Sequence, residues 1–276
     1  MIHSRHTRTK ETADAFILSL ARLQRHNDVP DNNFIAEKFP MTINSTVNCI
    51  IRKANQFKWE GPTMDELARS EAAWALLAQF NERYGLEGNA QATLKDLLTL
   101  QQIAAFEASQ QLDSPWCKIF TVAELELIEH LNDIHDYYAQ FMPGRDFAGN
   151  AVMTHLFRRL DSIVRRHRVS EDIPPRALLI FTHESLLKRL ASYHGFYPPL
   201  DKTPTIPVDR PIRTSTAMPF SANFTVVLYR CTIESKYKLM SLWNEVPINI
   251  RGCSGKLCDY EEFANFYGNL CPTKPS

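Results

Sequence analysis

The sequence has no long apolar run and no excess of charge. None of its uninterrupted apolar stretches reaches the roughly 18 to 20 residues that a membrane-spanning helix needs. Its 31 basic and 31 acidic side chains cancel, so no overall field draws the chain to nucleic acid or to an anionic membrane surface. We therefore expect no transmembrane segment and no nucleic-acid partner, and any anion site must be local.

The short motifs that are typical of cofactor sites are also missing. There is no Gly-rich nucleotide loop, no set of Cys-x-x-Cys pairs and no Gly-x-Ser-x-Gly elbow. His130 and His135 stand five positions apart on a predicted helix, off the i, i+4 spacing that places two metal ligands on one face. The sequence thus implies no cofactor and no metal.

The start of the chain shows no signal-peptide pattern, because its basic residues are not followed by an apolar segment. Other features are typical of secreted proteins. Cys253 and Cys258 bracket a short loop that suits a disulfide, and Asn44 and Asn223 each begin a glycosylation sequon. Free thiols and chance sequons in a cytosolic protein are the alternative. We favour a protein of the secretory pathway, either lumenal in the endoplasmic reticulum, secreted or at the cell surface, whose signal peptide lies in a missing N-terminus.

Hydrophobic content of 44% is enough to bury at least one full core. Apolar spacing predicts a helix from Thr9 to about Gln24, a helix-rich stretch from Phe34 to about Phe141, and a further helix from about Asn150 to His167. Strand signals gather in the last third. They are a continuously apolar run and two β-rich runs, Ala177–Phe181, Phe224–Cys231 and Tyr237–Trp243.

This order of elements predicts an α/β fold, a layered sheet with flanking helices that carries an inserted all-helical lobe. We expect residues 1–28 and 146–276 to form the α/β core and residues 29–145 to form the helical lobe. In such sheets ligands bind beyond the carboxyl ends of the strands, where helices begin.

The stretch "LLIFTHESLL" ends a predicted strand at such a place. His183 can hydrogen-bond a phosphoryl oxygen, and Glu184 can protonate a departing alkoxide. Alternatively, Thr182 and Glu184 only cap the following helix and His183 packs against the sheet.

The N-terminal "SRHTRTKETADAF" suggests a second anion-binding element. Arg5, Arg8 and Lys10 lie at the start of the first predicted helix, where an arginine can bind phosphate bidentately and the helix adds N–H donors. The alternative is a solvated basic turn.

Read together, several segments resemble the histidine acid phosphatases, and most closely their multiple inositol polyphosphate phosphatase branch. These segments are "TRTKETADAF", "SPWCKIFTVAELELIEHLNDIHDYY", "FTHESLL", "MPFSANFTVVLYRC", "YKLMSLWNEVPI" and "CDYEEFANFY". The resemblance implies the histidine phosphatase, or phosphoglycerate-mutase-like, fold. It also implies phosphomonoester hydrolysis in two steps through a phosphohistidine, with inositol hexakisphosphate or bisphosphoglycerate as the type of substrate.

The family's nucleophile motif, Arg-His-Gly-x-Arg-x-Pro, does not occur in this sequence. By resemblance, Arg8 holds the phosphate and His183 steadies the transferring group. The branch usually carries its acid two places after the histidine, where this chain has Ser185, so Glu184 becomes the candidate proton donor. We expect an enzyme represented by its C-terminal portion, inactive without its N-terminal segment. The alternative is an inactive truncated lumenal glycoprotein of the same fold.

Further basic residues are candidates for a pocket that takes highly phosphorylated inositols. Arg210 and Arg213 lie in "DRPIRTSTAMPF", and Lys188 and Arg189 follow the histidine motif. We assign Arg213 to substrate phosphate binding with Arg5 and Arg8. For Lys188 and Arg189 the sequence favours surface charges without partners.

Overall fold

The computed structural model describes residues 2–3, 7–26, 61–141, 147–169, 178–197, 200–204, 206, 209–210, 212–231 and 236–268. The helices are α1 (Thr7–His26), α2 (Met64–Ala68), α3 (Glu71–Tyr84), α4 (Leu94–Ser109), α5 (Val122–Asp136), α6 (Phe147–Val169), α7 (Glu184–His194), α8 (Thr214–Ala217) and α9 (Tyr260–Gly268). The strands are β1 (Ile2–His3), β2 (Ile180–Phe181), β3 (Phe224–Cys231), β4 (Lys236–Trp243), β5 (Val246–Ile248) and β6 (Leu257–Asp259).

The chain divides into two compact units. The first, here called the sheet unit, comprises Met1–Gln56, Phe147–His194 and Asn223–Ser276. The second, the helical unit, comprises Phe57–Asp146 and Gly195–Ala222. The helical unit therefore takes in a segment, Gly195–Ala222, that the sequence analysis groups with residues 146–276.

Capping boxes start three helices of the helical unit, α2, α4 and α5. Thr63, Thr93 and Thr121 each accept a hydrogen bond from the backbone three positions on, and the acidic side chain there accepts one from the backbone of the threonine. Each box satisfies two N–H groups that a helix start would otherwise leave open. The unit's core includes fully buried leucines and isoleucines from α4 and α5, namely Leu97, Ile128, Leu131 and Ile134.

The predicted helices are confirmed wherever the structure describes them. The stretch predicted from Phe34 to Phe141 contains α2 to α5, and its residues 34–60 lie outside the described part. The helix predicted from Asn150 to His167 is α6, with slightly wider bounds. Within the described residues, no helix is both long and apolar enough to cross a bilayer.

An antiparallel hairpin dominates the sheet unit. Its strands β3 and β4 match the predicted runs and pair from Phe224↔Trp243 to Cys231↔Lys236. Asn244 and Glu245 then turn the chain into β5 with φ of 47° and 67°. Such left-handed values at both positions are typical of a two-residue turn whose twist matches the strands.

One face of β4 is covered by α9. Tyr237, Leu239 and Trp243 alternate inward along the strand, and Phe263 and Tyr267 of α9 are almost fully buried. Beside this core, β6 pairs with β4. A disulfide joins Cys253 to Cys258 of β6, which is the pair that the sequence analysis favours.

A separate parallel pair positions the candidate site. Strand β1 pairs with β2 through Ile2↔Ile180 and His3↔Phe181. The strand predicted over Ala177–Phe181 is observed at Ile180–Phe181, where both residues are half-buried. Each strand of the pair is followed along the chain by a helix, β1 by α1 and β2 by α7.

Candidate functional site

The site lies where the two parallel strands end. Because β1 and β2 run in the same direction, the helices that follow them begin at the same edge of the pair. Arg8 is the second residue of α1, and His183 immediately precedes α7. The sheet unit thus gathers two helix N-termini, each rich in unbonded N–H groups, at one place.

Arg8 and His183 are in direct contact across 175 positions of sequence. The distance between Arg8 Nη2 and His183 Nδ1 is 3.1 Å. An arginine side chain can only donate, so Nδ1 must accept this hydrogen bond. The ring proton of a neutral His183 therefore resides on Nε2, which can donate to an oxygen of a bound anion.

The packing of α1 holds Arg8 at the surface. Thr9 and Ala13 are buried on the inner face of the helix, while Arg8 itself is exposed. The ring of Phe16 meets that of Phe181 edge-on, with centroids 5.6 Å apart. Strand β2 and helix α1 are thereby fixed to one another, and Arg8 is presented beside His183.

Glu184 is the first residue of α7 and is paired with the lysine one turn later. Its Oε1 lies 2.7 Å from Lys188 Nζ. The carboxylate side chain is half-exposed, whereas that of Lys188 is only 4% exposed. The prediction that Lys188 is a surface charge without a partner is wrong, because residue type and position do not reveal that the aliphatic stem packs inward.

Helix α7 is held by close contact with α6. A Cβ atom added at Gly149 of α6 would lie 2.6 Å from the carbonyl oxygen of Arg189 and from the Cβ of Tyr193. Only glycine permits this approach of the two helices. The position of the helix that carries Glu184 and Lys188 therefore depends on Gly149.

The other predicted phosphate ligands are placed differently. Arg5 lies outside the described residues. Arg213 belongs to the helical unit, where its Nη2 lies 2.6 Å from Glu126 Oε1 and both side chains are about two-fifths exposed. The contact between Arg8 and His183 is thus the part of the predicted site that the structure brings together.

The second arginine of that segment, Arg210, has a structural role. Its side chain is 3% exposed and forms ion pairs with Glu129 and Asp133 of α5. Thr214 Oγ1 donates to Asp133 Oδ1 at 2.6 Å, and the Ser215 N–H donates to Glu129 Oε1 at 2.8 Å. Together these bonds fasten the segment that carries α8 onto α5.

Glu129 and Asp133 both pair with Arg210, yet their pKa values are shifted in opposite directions. Burial raises the pKa of Asp133 to about 6, although the hydrogen bond from Thr214 opposes it. For Glu129 burial is outweighed by the hydrogen bonds from Ser215 and the charge of Arg210, and its pKa is lowered.

His194, at the end of α7, is buried beside Arg251. Burial and the charge of Arg251 lower the pKa of His194 to about 3, so it stays neutral. Among the described residues no three His, Cys, Asp or Glu side chains form a cluster that could hold a metal ion. Of the two sequons, Asn44 lies outside the described residues and Asn223 directly precedes β3, where its Nδ2 donates to Glu245.

Comparisons with known proteins give the family. The family model of the histidine phosphatase superfamily (branch 2) matches residues 3–242. Multiple inositol polyphosphate phosphatase 1 of Gallus gallus is 25% identical over 228 residues, which are 79% of this chain and 48% of the relative. The enzyme of the same name from Homo sapiens is 26% identical over 62% of this chain and 38% of its own length. The chain thus spans less than half the length of these curated relatives.

Two further proteins extend the comparison. A thiamine-repressible acid phosphatase of Schizosaccharomyces pombe is 26% identical over 63% of this chain and 39% of its own length. The crystal structure of the phytase from D. castellii superimposes with a TM-score of 0.66 at 20% identity, covering 99% of this chain and 58% of the phytase. That likeness establishes the fold, an α/β architecture with a helical unit. Since the family model matches most of the sequence, the chain belongs to the histidine phosphatase superfamily, branch 2.

Proposed function

We propose that this chain carries the phosphate-holding half of a phosphomonoesterase that hydrolyses inositol polyphosphates. The supporting observation is the contact of Arg8 with His183, 3.1 Å apart at the start of two helices. Arginine offers planar, bidentate donors to phosphate, and the histidine Nε2–H adds a third donor at the same place. The relatives named as inositol polyphosphate phosphatases support the substrate class.

In this proposal the chain's own residues hold and neutralise the transferring phosphoryl group. Arg8 and His183 donate to its equatorial oxygens, where negative charge persists in the transition state. Glu184 donates a proton to the departing alkoxide as the ester P–O bond breaks. The nucleophilic histidine that accepts the phosphoryl group belongs to the Arg-His-Gly-x-Arg-x-Pro motif, which does not occur in this sequence. Water then cleaves the phosphorus–nitrogen bond of the phosphohistidine and releases phosphate.

The test is orthophosphate release from myo-inositol hexakisphosphate at acidic and neutral pH. It compares the 276-residue chain with a chain extended by its upstream coding sequence. We expect activity in the extended chain alone, and a loss of 100-fold or more on His183→Ala or Arg8→Ala, in keeping with the loss of a transition-state donor, on the order of 10² to 10³. Arg22→Ala is the matched control, because Arg22 is exposed on the same helix and lies roughly 20 Å along it from Arg8.

The alternative is a catalytically inactive glycoprotein of the same fold. The serine at position 185, where the resemblance places the acid of the branch, favours it. Orthophosphate binding that depends on Arg8, without hydrolysis by either chain, would support this alternative. Hydrolysis that survives both substitutions would contradict the assignment of Arg8 and His183.

We further propose that the protein matures in the secretory pathway and carries a glycan at Asn223. The Cys253–Cys258 disulfide is typical of an oxidising compartment, and the hydroxyl of Thr225 lies 3.4 Å from the Asn223 amide oxygen. Mass spectrometry before and after glycosidase treatment of the secreted chain tests this. An unmodified Asn223 peptide, or a chain retained in the cytosol, would contradict it.

A further inference from the structure

The ion pair of Glu184 with Lys188 differs from an ordinary surface pair. Lys188 is 3% exposed, while the Glu184 side chain is 51% exposed. A buried ammonium group is costly unless a counter-ion accompanies it. The burial of Lys188 therefore makes a counter-ion important for its stability. Glu184 supplies one, with its Oε1 2.7 Å from Lys188 Nζ.

This carboxylate belongs to the residue next to the candidate anion site. Glu184 follows His183 directly, and His183 is in contact with Arg8. An uncompensated carboxylate on this residue would oppose the binding of phosphate, because like charges repel and the repulsion is strong at a partly desolvated surface. A cation placed behind the carboxylate removes most of this repulsion.

We propose that Lys188 is a positioning residue that holds Glu184 by one oxygen and offsets its charge beside the phosphate site. The inference rests on the function proposed above, since it assumes that Arg8 and His183 bind phosphate. The charge that Lys188 offsets is that of the ionised carboxyl; because Lys188 occupies Oε1, Oε2 is the oxygen that takes up the proton when Glu184 becomes the neutral acid that serves a leaving group. Lys188 itself touches neither phosphate nor leaving group in this arrangement.

The chain offers a matched control in the same unit. Asp161 and Arg165 on α6 form an ion pair with the same i, i+4 spacing at 2.7 Å. The Arg165 side chain is 76% exposed, whereas that of Lys188 is buried. Such a pair contributes little, so Arg165→Met removes one positive charge from a helix of this unit without touching the candidate site.

The experiment measures the affinity of inorganic phosphate by titration calorimetry. It compares the parent chain, Lys188→Met, Lys188→Arg, the double variant Glu184→Gln/Lys188→Met, the control Arg165→Met, and Arg8→Ala. We expect Lys188→Met to weaken binding by on the order of tenfold at low ionic strength. Lys188→Arg, the double variant and Arg165→Met should bind within about threefold of the parent. Circular dichroism reports whether each variant folds.

The outcomes separate the two proposals. If the parent binds no phosphate, or if Arg8→Ala binds as the parent does, the proposed function fails and this inference falls with it. If Arg8→Ala abolishes binding and Lys188→Met leaves it unchanged, only the role of Lys188 is overturned. The role of Lys188 would also be overturned if the double variant folded but bound phosphate as weakly as Lys188→Met. Removing the charge of Glu184 restores affinity only if Lys188 acts by offsetting that charge, and not if the lysine has a purely structural role. Should Lys188→Met fail to fold, Lys188→Arg and the double variant decide, and parent-like affinity in both is required.

Discussion

Among single residues, Asp133 links the stability of the helical unit to pH. Its pKa is raised from 3.8 to about 6, with burial as the main cause. The folded carboxyl thus binds its proton more tightly than the unfolded one does. The resulting stabilisation is fully present below about pH 4 and is lost as the pH rises through about 6.

We expect the free energy of unfolding of the parent, relative to Asp133→Asn, to fall by on the order of 2 kcal/mol between pH 4 and pH 7. Urea denaturation of both proteins across this range measures the difference. Glu129→Gln provides a control of opposite sign, because the pKa of Glu129 is lowered and its contribution is lost as the pH falls. If the free energy of unfolding had the same dependence on pH in Asp133→Asn and Glu129→Gln, the assigned pKa shifts would be wrong.

At the scale of single residues, some roles could be predicted from the sequence and others could not. Arg8 and His183 could be named because local motifs resemble those of a family, and the structure brings the two side chains into contact across 175 positions. Lys188 and Arg210 could not be assigned correctly. A lysine or arginine looks the same in sequence whether it faces water or a buried carboxylate, since its partner is chosen by tertiary packing.

At the scale of elements, the contact between α6 and α7 carries a second prediction. Replacing glycine by alanine inside a helix normally stabilises it by about 0.5 to 1 kcal/mol. At Gly149 the new methyl group would lie 2.6 Å from atoms of α7. We expect Gly149→Ala to destabilise the chain by about 1 to 3 kcal/mol instead.

Thermal or chemical denaturation tests the sign of this change. Gly255→Ala is the control, because a Cβ atom at Gly255 meets nothing within 4 Å. Gly149→Ala should also weaken phosphate binding, since α7 carries Glu184 and follows His183. If Gly149→Ala increased the free energy of unfolding, α7 would have to shift away from α6 without a loss of packing energy, and this prediction would be wrong.

The helices and strands were easier to predict from the sequence than the contacts between them. The helix-rich stretch of the helical unit follows from its apolar spacing, and β3 and β4 follow from their β-branched and aromatic residues. The pairing of β1 with β2 does not follow from any local signal, because a strand of two residues has no periodicity to detect. The inclusion of Gly195–Ala222 in the helical unit depends on ion pairs such as Arg210 with Asp133, which sequence spacing does not encode.

For the molecule as a whole, the absence of net charge predicts an asymmetric dependence of solubility on pH. The chain has a formal net charge of zero at pH 7 and nine histidines. Lowering the pH towards 5 protonates accessible histidines and adds positive charge, whereas few groups titrate between pH 7 and pH 9. Repulsion between molecules therefore grows faster on the acidic side.

We expect the 276-residue chain to aggregate most readily near neutral pH and to become more soluble on the acidic side first. Light scattering at fixed protein concentration across pH 5 to 9 measures this. Substitution of exposed lysines by glutamates, for example at Lys95 and Lys236, should move the minimum to lower pH. A minimum that does not follow the net charge would point to exposed apolar surface as the cause.

The parallel pairing of β1 with β2 also has a consequence for the time course of folding. The hairpin of β4 and β5 closes over two residues, whereas the contact of Arg8 with His183 must close a loop of 175 positions. Loop-closure entropy grows by about 0.6 kcal/mol for each doubling of length, and non-local contacts slow folding. We therefore expect the anion site to be assembled late, after the hairpin and the helices have formed. During synthesis Arg8 must wait for His183 to be made, so nascent chains are without the completed site for most of their translation.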